Sequence, residues 1–168
     1  MSDVTPNTLP AKSADGSRMS LAIITEPGQA NAFGALHGGV ILRLADECGA
    51  VVAMRHAGSE QIVTAAIDSM VFLGPVHPGE RVELTAEVTY VGYTSIETRI
   101  EVVAEPLQRA ERRRVAAGYG LYVALGADGR PRPVPPLLSE TEADRIRDVA
   151  ARARQAARLA RRREASQG

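Results

Sequence analysis

The sequence has little of what would cross-link a chain, anchor it in a membrane or give it a strong charge. Its 168 residues include a single cysteine, Cys48, so an intrachain disulfide is impossible and a reducing, cytoplasmic location is expected. No apolar run is long enough to span a bilayer, and the N-terminus has no basic-then-apolar signal pattern, so we expect no membrane contact. The formal net charge is +0, and no overall field therefore favours nucleic acid.

Metal and cofactor motifs are missing as well. No group of histidine, cysteine and carboxylate residues has the spacing of metal ligands, which predicts that no metal is bound. There is no Gly-x-Ser-x-Gly nucleophile elbow and no phosphate-binding P-loop. We therefore expect neither a metal nor a resident cofactor.

What remains is the composition of a globular domain, with 45% hydrophobic and 24% charged residues. A chain of this length suggests one domain with an additional terminal element. Residues 1–17 are polar and contain proline, which predicts a disordered tail. We place the folded domain at 18–127, and a proline-containing linker followed by an arginine- and alanine-rich helix at 128–168.

A long helix is predicted at 38–55, because apolar side chains recur there at three- and four-residue intervals. The apolar arc is so wide that little polar face remains, which indicates a helix surrounded by protein on most sides. Gly58 follows as a stop signal. Five strand-like segments flank this helix, at 19–25, 62–72, 81–90, 95–102 and 114–125.

Alternation in the strand segments predicts an antiparallel sheet with one face on the core and the other in water. Glu97 falls on the predicted wet face. The order of elements is typical of an α+β fold in which a sheet wraps around one central helix. One open sheet cannot cover such a helix on all sides, so dimerisation is expected. The predicted core positions in the third and fifth segments are Val82, Leu84, Ala86, Val88, Tyr90, Val115, Ala117, Tyr119, Leu121, Val123 and Leu125.

The C-terminal segment is predicted to form a polar helix at 141–164, opened by a capping box of Ser139 and Glu142. We expect this helix to be solvated. The functional alternatives are, in order, an oligomer contact, a phosphate contact for an anionic ligand and a nucleic-acid contact. The last ranks lowest because no aromatic residue alternates with the arginines to stack a base.

The most informative segment is NAFGALHGG, which runs from Asn31 to Gly39 and leads directly into the long helix. A helix N-terminus offers unpaired N–H groups and a partial positive charge. Gly38 and Gly39 lack Cβ atoms, so a ligand can approach this backbone closely. The Gly38 N–H could therefore polarise a thioester or ester carbonyl and stabilise the oxyanion. The alternative is a glycine-rich loop that simply enters a core helix.

Asp46 is a carboxylate inside an otherwise apolar helix. It could activate water as a general base or attack as a nucleophile, and the alternative is a carboxylate that is only hydrogen-bonded. Gly38 and Asp46 are separated by a helix rise of about 12 Å, so one carbonyl cannot touch both. If both act, Asp46 must come from a second subunit, and the site is shared across a two-fold interface. Glu47 points about 100° away and is not expected to serve the same site.

Weaker candidates surround this pair. Asn31 could hold the water or the carbonyl, or form a turn with its own backbone. His37 could orient a ligand, although a helix-capping or packed histidine is preferred. Thr64, near a strand start, could position water. Thr94 and Ser95 lie in a predicted hairpin whose backbone N–H groups could meet a phosphate.

Two stretches of the chain resemble a known family. NAFGALHGGVILRLADECGAVVAMRHAG and FLGPVHPGERVELTAEVTYVGYTSIE are similar to hotdog-fold acyl-CoA thioesterases, both the cytosolic (brain-type) acyl-CoA hydrolases and the phenylacetyl-CoA type. The likeness extends through Val134-Pro135-Pro136 and the C-terminal helix. It implies a hotdog fold, in which an antiparallel β-sheet wraps around one long central helix.

The resemblance also implies roles for particular residues. Asp46 matches the catalytic carboxylate, and Gly38 matches the oxyanion-hole glycine, with His37 beside it. Asn31 matches the asparagine that places the thioester or the water in the phenylacetyl-CoA type. The brain-type pattern has an asparagine where this chain has Ala35, so Asn31 would have to do that job. From the residues themselves, and not from the resemblance, Gly39, Thr94 and Ser95 are expected to contact the coenzyme A part of the substrate.

The expected function is hydrolysis of acyl-CoA to a free acid and coenzyme A, in fatty acid metabolism, by a homohexamer arranged as a trimer of dimers. The alternative is a non-catalytic acyl-CoA-binding regulator with the same fold. Repressors of that kind carry an N-terminal helix-turn-helix, which residues 1–16 cannot supply. A hotdog hydratase is a third possibility, but Asp68 and His77 lack its spacing.

Overall fold

The computed structural model describes residues 7–139 and 141–165, and within these ranges the chain forms five strands and two α-helices. The helices are α1 (Gly38–Ala57), between the first two strands, and α2 (Glu142–Ala165), after the last. The strands are β1 (Met19–Ile24), β2 (Ile62–Phe72), β3 (Glu80–Val91), β4 (Ser95–Pro106) and β5 (Arg113–Ala124).

All five strands form one antiparallel sheet in the order β1-β3-β4-β5-β2. α1 packs on one face of the sheet, which we call the inner face, and contacts every strand. α2 lies against the opposite, outer face. The architecture predicted from the order of the elements, a sheet around one long helix with an extra C-terminal helix, is therefore confirmed.

α1 begins and ends at residues that suit its termini. His37 is the N-cap, and its Nδ1 accepts a hydrogen bond from the Gly39 N–H at 3.0 Å. Gly58 takes a left-handed conformation with φ of +62° and closes the last turn onto the Met54 carbonyl. Cys48 lies fully buried in the middle of the helix, and burial raises the pKa of its thiol to about 11. This cysteine is a packed apolar side chain and not a reactive thiolate.

β3 follows the predicted alternation only as far as Val88. A bulge between Val88 and Tyr90 shifts the register, so that Thr89 is buried and Tyr90 turns to the outer face. The prediction that Tyr90 belongs to the core is therefore wrong. Arg152 of α2 lies over its ring, 5.7 Å from the centroid.

Val115 is fully buried in the core as predicted, but from Ala117 onwards the core face of β5 is the opposite of the predicted one. Gly120 and Tyr122 face α1, whereas Tyr119 and Leu121 are half-buried on the outer face. The cause is the close approach of α1: a Cβ at Gly49 would lie 2.3 Å from the Tyr122 Oη, and a Cβ at Gly120 would lie 2.5 Å from it. Glycine is needed at both positions. Because glycine has no side chain, the inner face of β5 looked less apolar in the sequence than its outer face.

The segment before β1 packs onto the domain from residue 7 onwards. The Asn7 side chain donates to the Val134 carbonyl, and the Lys12 N–H donates to the Pro136 carbonyl. Ser17 is buried beside His56. The predicted disordered tail therefore does not extend over residues 7–17, and the remainder of that prediction lies outside the described residues.

α2 starts with a different cap from the predicted one. Thr141 Oγ1 accepts from the Asp144 N–H at 3.1 Å, and the Asp144 carboxylate accepts from the Thr141 N–H at 2.9 Å. Glu142 is the first helical residue, so the predicted box of Ser139 and Glu142 is wrong. A hydroxyl residue is followed three positions later by an acidic residue both at Ser139 and Glu142 and at Thr141 and Asp144. The sequence alone does not show which of the two pairs caps the helix.

α2 rests on the sheet through its arginines. The Arg154 guanidinium lies 3.9 Å from the centroid of the Tyr119 ring and donates to Glu97 Oε1 at 2.7 Å. Arg158 pairs with the same Glu97 carboxylate and with Asp68 Oδ2, the latter at 3.2 Å. Glu97, which was predicted to face water, is fully buried beneath the helix. The expectation of a solvated helix is therefore wrong.

Among the described residues, neither α1 nor α2 is long and apolar enough to cross a membrane.

Candidate active site

A cavity of about 430 Å³ opens at the N-terminus of α1. Asn31 and Gly38 form its polar side, and Phe72 at the end of β2 packs against Gly38, where a Cβ would lie 3.4 Å from the ring. The remaining lining is mostly apolar, from Leu36, Ile41, Leu73, Pro75 and Val76. An acyl group would fit this surface, with a few polar groups to fix its orientation.

The Gly38 N–H is the free donor of this helix start. The Gly39 N–H is taken by His37 Nδ1, and the Val40 N–H donates to the His37 carbonyl at 2.9 Å. No acceptor for the Gly38 N–H exists in the part of the chain that the structure describes. The donor therefore remains available to a ligand, and the helix dipole adds a partial positive charge beside it.

Asn31 holds the loop in front of the helix. Its Oδ1 accepts from the Phe33 N–H at 2.9 Å and from the Ala35 N–H at 3.2 Å. This is the local turn that the sequence left as an alternative. The same two bonds fix the amide orientation, and Nδ2 donates to none of the described residues. Asn31 thus carries a positioned donor at the cavity while it also shapes the loop.

Asp46 is half-buried near the middle of α1, and its Oδ1 accepts from Thr64 Oγ1 at 2.8 Å. Beneath it, the Tyr122 hydroxyl donates to the Asp46 main-chain carbonyl at 3.2 Å. Burial, aided by the nearby Asp46 charge, raises the pKa of Tyr122 far above its ordinary value, so the phenol stays protonated. The carboxylate is held by one hydroxyl and keeps Oδ2 for another partner. Glu47 is exposed instead, paired with Arg43 at 2.7 Å.

The structure does not bring Gly38 and Asp46 of one chain together. β2 runs antiparallel to α1, so that Phe72 lies beside Gly38 and Thr64 beside Asp46, at opposite ends of the strand. The helix rise between the two residues is about 12 Å, as expected from their spacing. Within one chain, therefore, a substrate carbonyl at Gly38 is out of reach of the Asp46 carboxylate.

Thr94 and Ser95 lie at the hairpin between β3 and β4. Ser95 pairs with Val123, which also pairs with Val63 next to Thr64, so the hairpin is at the Asp46 end of the sheet. Its side chain faces outward, because its neighbour Ile96 is fully buried on the inner face. Within one chain, the hairpin therefore lies at the end of the sheet away from Gly38, and the Ser95 side chain lies on the face opposite the helix that carries Asp46.

Sequence reasoning missed two residues of this region. The alternation in β5 was assigned to the wrong face of the sheet, so Tyr122 was not recognised as a residue that packs against α1. Phe72 was taken only as the end of a strand, and no sequence signal links it to Gly38. No group of three or more potential metal ligands occurs in residues 7–139 or 141–165.

Comparison with known proteins first defines the class. The structure superposes on the acyl-CoA hydrolase of Staphylococcus aureus with a TM-score of 0.85 and 32% identity, over 94% of this chain and 96% of that one. A hexameric acyl-CoA thioesterase gives a TM-score of 0.85 at 33% identity, over 91% and 97% of the two chains. The class is that of the hotdog-fold thioesterases, as the resemblance predicted.

The sequence comparisons then define the family. The model of the thioesterase superfamily matches residues 33–111. An uncharacterized acyl-CoA thioester hydrolase of Bacillus subtilis is 37% identical over 116 residues, 69% of this chain and 67% of that protein. The chain belongs to the thioesterase superfamily. The cytosolic acyl coenzyme A thioester hydrolase of Mus musculus is 34% identical over 133 residues, 78% of this chain, and the chain spans only 35% of its length.

Proposed function

We propose that the protein hydrolyses acyl-CoA thioesters to a carboxylic acid and coenzyme A. The observation that carries the proposal is the unpaired Gly38 N–H, which opens with the Asn31 amide onto an apolar cavity at a helix N-terminus. Two convergent donors suit a thioester carbonyl, and the apolar lining suits its acyl chain. The named activities of the similar bacterial and mammalian proteins point the same way.

The proposed active site is shared by two chains across paired β2 edges. β2 is one of the two edge strands of the sheet, with β1 at the other edge, and the outer edge of β2 has no partner among the described residues. Val63, Ile67, Val71 and Phe72 on this strand are 38% to 53% exposed. A long apolar edge invites pairing with another chain. Antiparallel pairing about a two-fold axis near Ile67 carries the partner's Thr64 end, and with it Asp46, toward Gly38.

In this arrangement Asp46 acts as a general base. Its Oδ1 is occupied by Thr64, so Oδ2 takes the proton from a water that attacks the thioester carbonyl. The negative charge that develops on the carbonyl oxygen is met by the Gly38 N–H of the other chain, and the Asn31 amide orients the carbonyl or the water. The C–S bond then breaks, and the thiolate of coenzyme A receives the proton from Asp46. No step requires a metal or a resident cofactor.

Variants of the Staphylococcus aureus hydrolase support this choice of residues. Three solved structures of that protein carry single alanine substitutions of an asparagine, an aspartate and a threonine. Its asparagine and aspartate are separated by the same number of residues as Asn31 and Asp46, and its threonine falls within one residue of the spacing of Thr64. The same three residue types, in the same order, were the ones singled out in that hydrolase.

We further propose that these dimers assemble into a hexamer, because hexameric thioesterases are among the similar structures. The cytoplasmic location and the place in fatty acid metabolism stay predictions. The test of the function is a panel of short-, medium- and long-chain and aryl acyl-CoA esters with detection of released thiol, in the presence and absence of a chelator. Cleavage of at least one class without added metal is expected. If no ester is cleaved above background although acyl-CoA binds, the protein is an acyl-CoA-binding regulator instead.

A further inference from the structure

Two hydroxyl groups from adjacent strands hold Asp46 at two different atoms. Thr64 Oγ1 donates to the carboxylate Oδ1 at 2.8 Å, and Tyr122 Oη donates to the main-chain carbonyl oxygen at 3.2 Å. Thr64 on β2 and Tyr122 on β5 are direct partners in the antiparallel ladder, so their side chains leave the sheet side by side on the inner face. One cross-strand pair therefore fixes both the side chain and the backbone of the proposed base.

A bulge in β2 allows Thr64 and Asp68 to serve opposite faces of the sheet. On a regular strand, residues four apart share a face. Here the register shifts between Thr64 and Ala66, which makes Ala65 an extra residue and reverses the alternation beyond it. Thr64 therefore faces α1, whereas Asp68 faces α2 and pairs with Arg158 at 3.2 Å. The strand is shaped so that Thr64 stays beside Asp46 while α2 docks on the other side.

Packing alone does not account for a tyrosine at position 122. The side chain is fully buried, and phenylalanine would fill the same space without a polar atom that needs a partner. The Asp46 carbonyl does not need the hydroxyl either, because in an α-helix it accepts from the N–H four residues later, which is that of Ala50. The ring is admitted only because Gly49 and Gly120 lack side chains. What the hydroxyl adds is one directional bond between the sheet and α1 at the level of Asp46.

We propose that Tyr122 is a positioning residue for Asp46, which holds the helix backbone so that the carboxylate lies at a fixed place over Thr64. This inference rests on the proposed role of Asp46 as the general base. Most other contacts between α1 and the sheet are apolar, and apolar contacts have no preferred direction. They permit small rotations and shifts of a helix, whereas a hydrogen bond constrains both distance and angle. Tyr122 therefore fixes where Oδ2 of Asp46 points.

Tyr122 acts through Asp46 and not on the substrate. Its side chain is buried beneath α1, and the residue is not among those that line the cavity at Gly38. The hydroxyl also faces a neutral main-chain carbonyl and not the carboxylate, so its removal leaves the bond from Thr64 in place. A role in positioning predicts a lower kcat with an unchanged KM, whereas a role in stability alone predicts normal turnover by the folded enzyme.

Tyr122→Phe tests the positioning directly, because only the hydroxyl is lost. A misplacement of about 1 Å can cost about 10²-fold in rate, and the apolar contacts keep the displacement smaller, so we expect kcat to fall about tenfold with KM within about twofold of wild type. The matched control, Thr89→Val, removes a buried hydroxyl that donates to Glu97 Oε1 at 2.7 Å on the α2 side of the sheet. Its kcat should stay within about twofold of wild type. Rates are measured well below the unfolding transition of each variant, with gel filtration to confirm assembly.

The Asp46→Asn background separates positioning of the base from a general effect on the site. If Tyr122 acts through the carboxylate, Tyr122→Phe should change the residual rate of Asp46→Asn by less than about twofold, although it lowers the wild-type rate about tenfold. An equal loss in both backgrounds, or a normal kcat for Tyr122→Phe, would overturn the inference. So would a loss in Thr89→Val as large as that in Tyr122→Phe.

The proposed function and the positioning role fail in different ways. Absence of cleavage by the wild-type protein, or a near-normal kcat in Asp46→Asn, would remove the base and the inference with it. An impaired Asp46→Asn together with a normal Tyr122→Phe would leave the base in place and refute only the positioning role.

Discussion

Replacement of Asp46 by asparagine is the sharpest single test of the proposed chemistry. The change keeps the size of the side chain. Thr64 Oγ1 donates to Asp46 Oδ1 at 2.8 Å, and the asparagine Oδ1 can accept the same hydrogen bond. What it loses is the basic oxygen that takes the proton from water. Loss of a general base typically lowers kcat about 10²- to 10⁴-fold, which is about 3 to 5.5 kcal/mol in the barrier. The KM should change little, because Gly38 and Asn31 hold the substrate.

Steady-state thiol release, with the best ester from the panel, measures this effect. The matched control is Glu47→Gln, which removes a carboxylate from the next residue of the same helix. Glu47 is exposed and paired only with Arg43, so kcat should stay within about twofold of wild type. If Asp46→Asn retained near-normal kcat, or if Glu47→Gln were equally impaired, the assignment of the base would be refuted. Circular dichroism and gel filtration establish that both variants fold and assemble.

Three further predictions concern stability. Tyr122→Phe removes the hydroxyl that donates to the Asp46 main-chain carbonyl at 3.2 Å. The free energy of unfolding in urea titrations should fall by about 0.5 to 1.5 kcal/mol, and a larger loss would mean that the hydroxyl stabilises the fold by more than this one hydrogen bond. Glu97→Gln should cost about 1.5 to 3 kcal/mol in the same titrations, since it removes the fully buried carboxylate that Arg154 and Arg158 share and leaves Arg158 paired with Asp68 alone, and a loss under about 1 kcal/mol would show that α2 is not docked as described. Burial lowers the pKa of His56 from its ordinary value of 6.5, so the neutral form is favoured in the native state. Stability should therefore fall as the pH drops below about 6.5, because the unfolded chain binds the proton first, and His56→Gln should flatten this part of the curve.

The sequence predicted the fold correctly where buried side chains recur at the regular spacing of a helix or a strand. The apolar arc at 38–55 predicted a central helix, and the alternation at Val82, Leu84, Ala86 and Val88 predicted the inner face of β3. The alternation at β5 misled, because its inner face is built from glycines that admit Tyr122 beneath α1. The close approach depends on α1 and β5 together, so it cannot be predicted from either sequence segment alone.

The outer face was predicted poorly for a related reason. Glu97, Arg154 and Arg158 each look solvated when read in their own segments, and only the three-dimensional structure pairs a strand carboxylate with arginines about sixty residues away.

More of the candidate site could be predicted from the sequence. NAFGALHGG marks a helix start with a free donor, and a lone carboxylate in an apolar helix marks Asp46. The support of Asp46 by Thr64 and Tyr122 needed the structure.

The central claim is that one site uses Gly38 of one chain and Asp46 of another. Gly38→Pro removes the donor N–H, and the first helical position tolerates proline. His37 before it already has φ of −65° and ψ of 128°, a conformation that a following proline favours. Asp46→Asn removes the base. Each variant alone gives dimers in which both sites are defective, whereas a mixed dimer has one site with both defects and one intact site.

Co-refolding of the two variants in equal amounts therefore provides the most direct measurement. Random mixing makes about half of the dimers mixed, so about a quarter of the wild-type activity should return although neither parent shows it. Native mass spectrometry confirms the mixed species. If confirmed mixed dimers stay as inactive as their parents, Gly38 and Asp46 do not meet across the interface, and the shared active site is wrong.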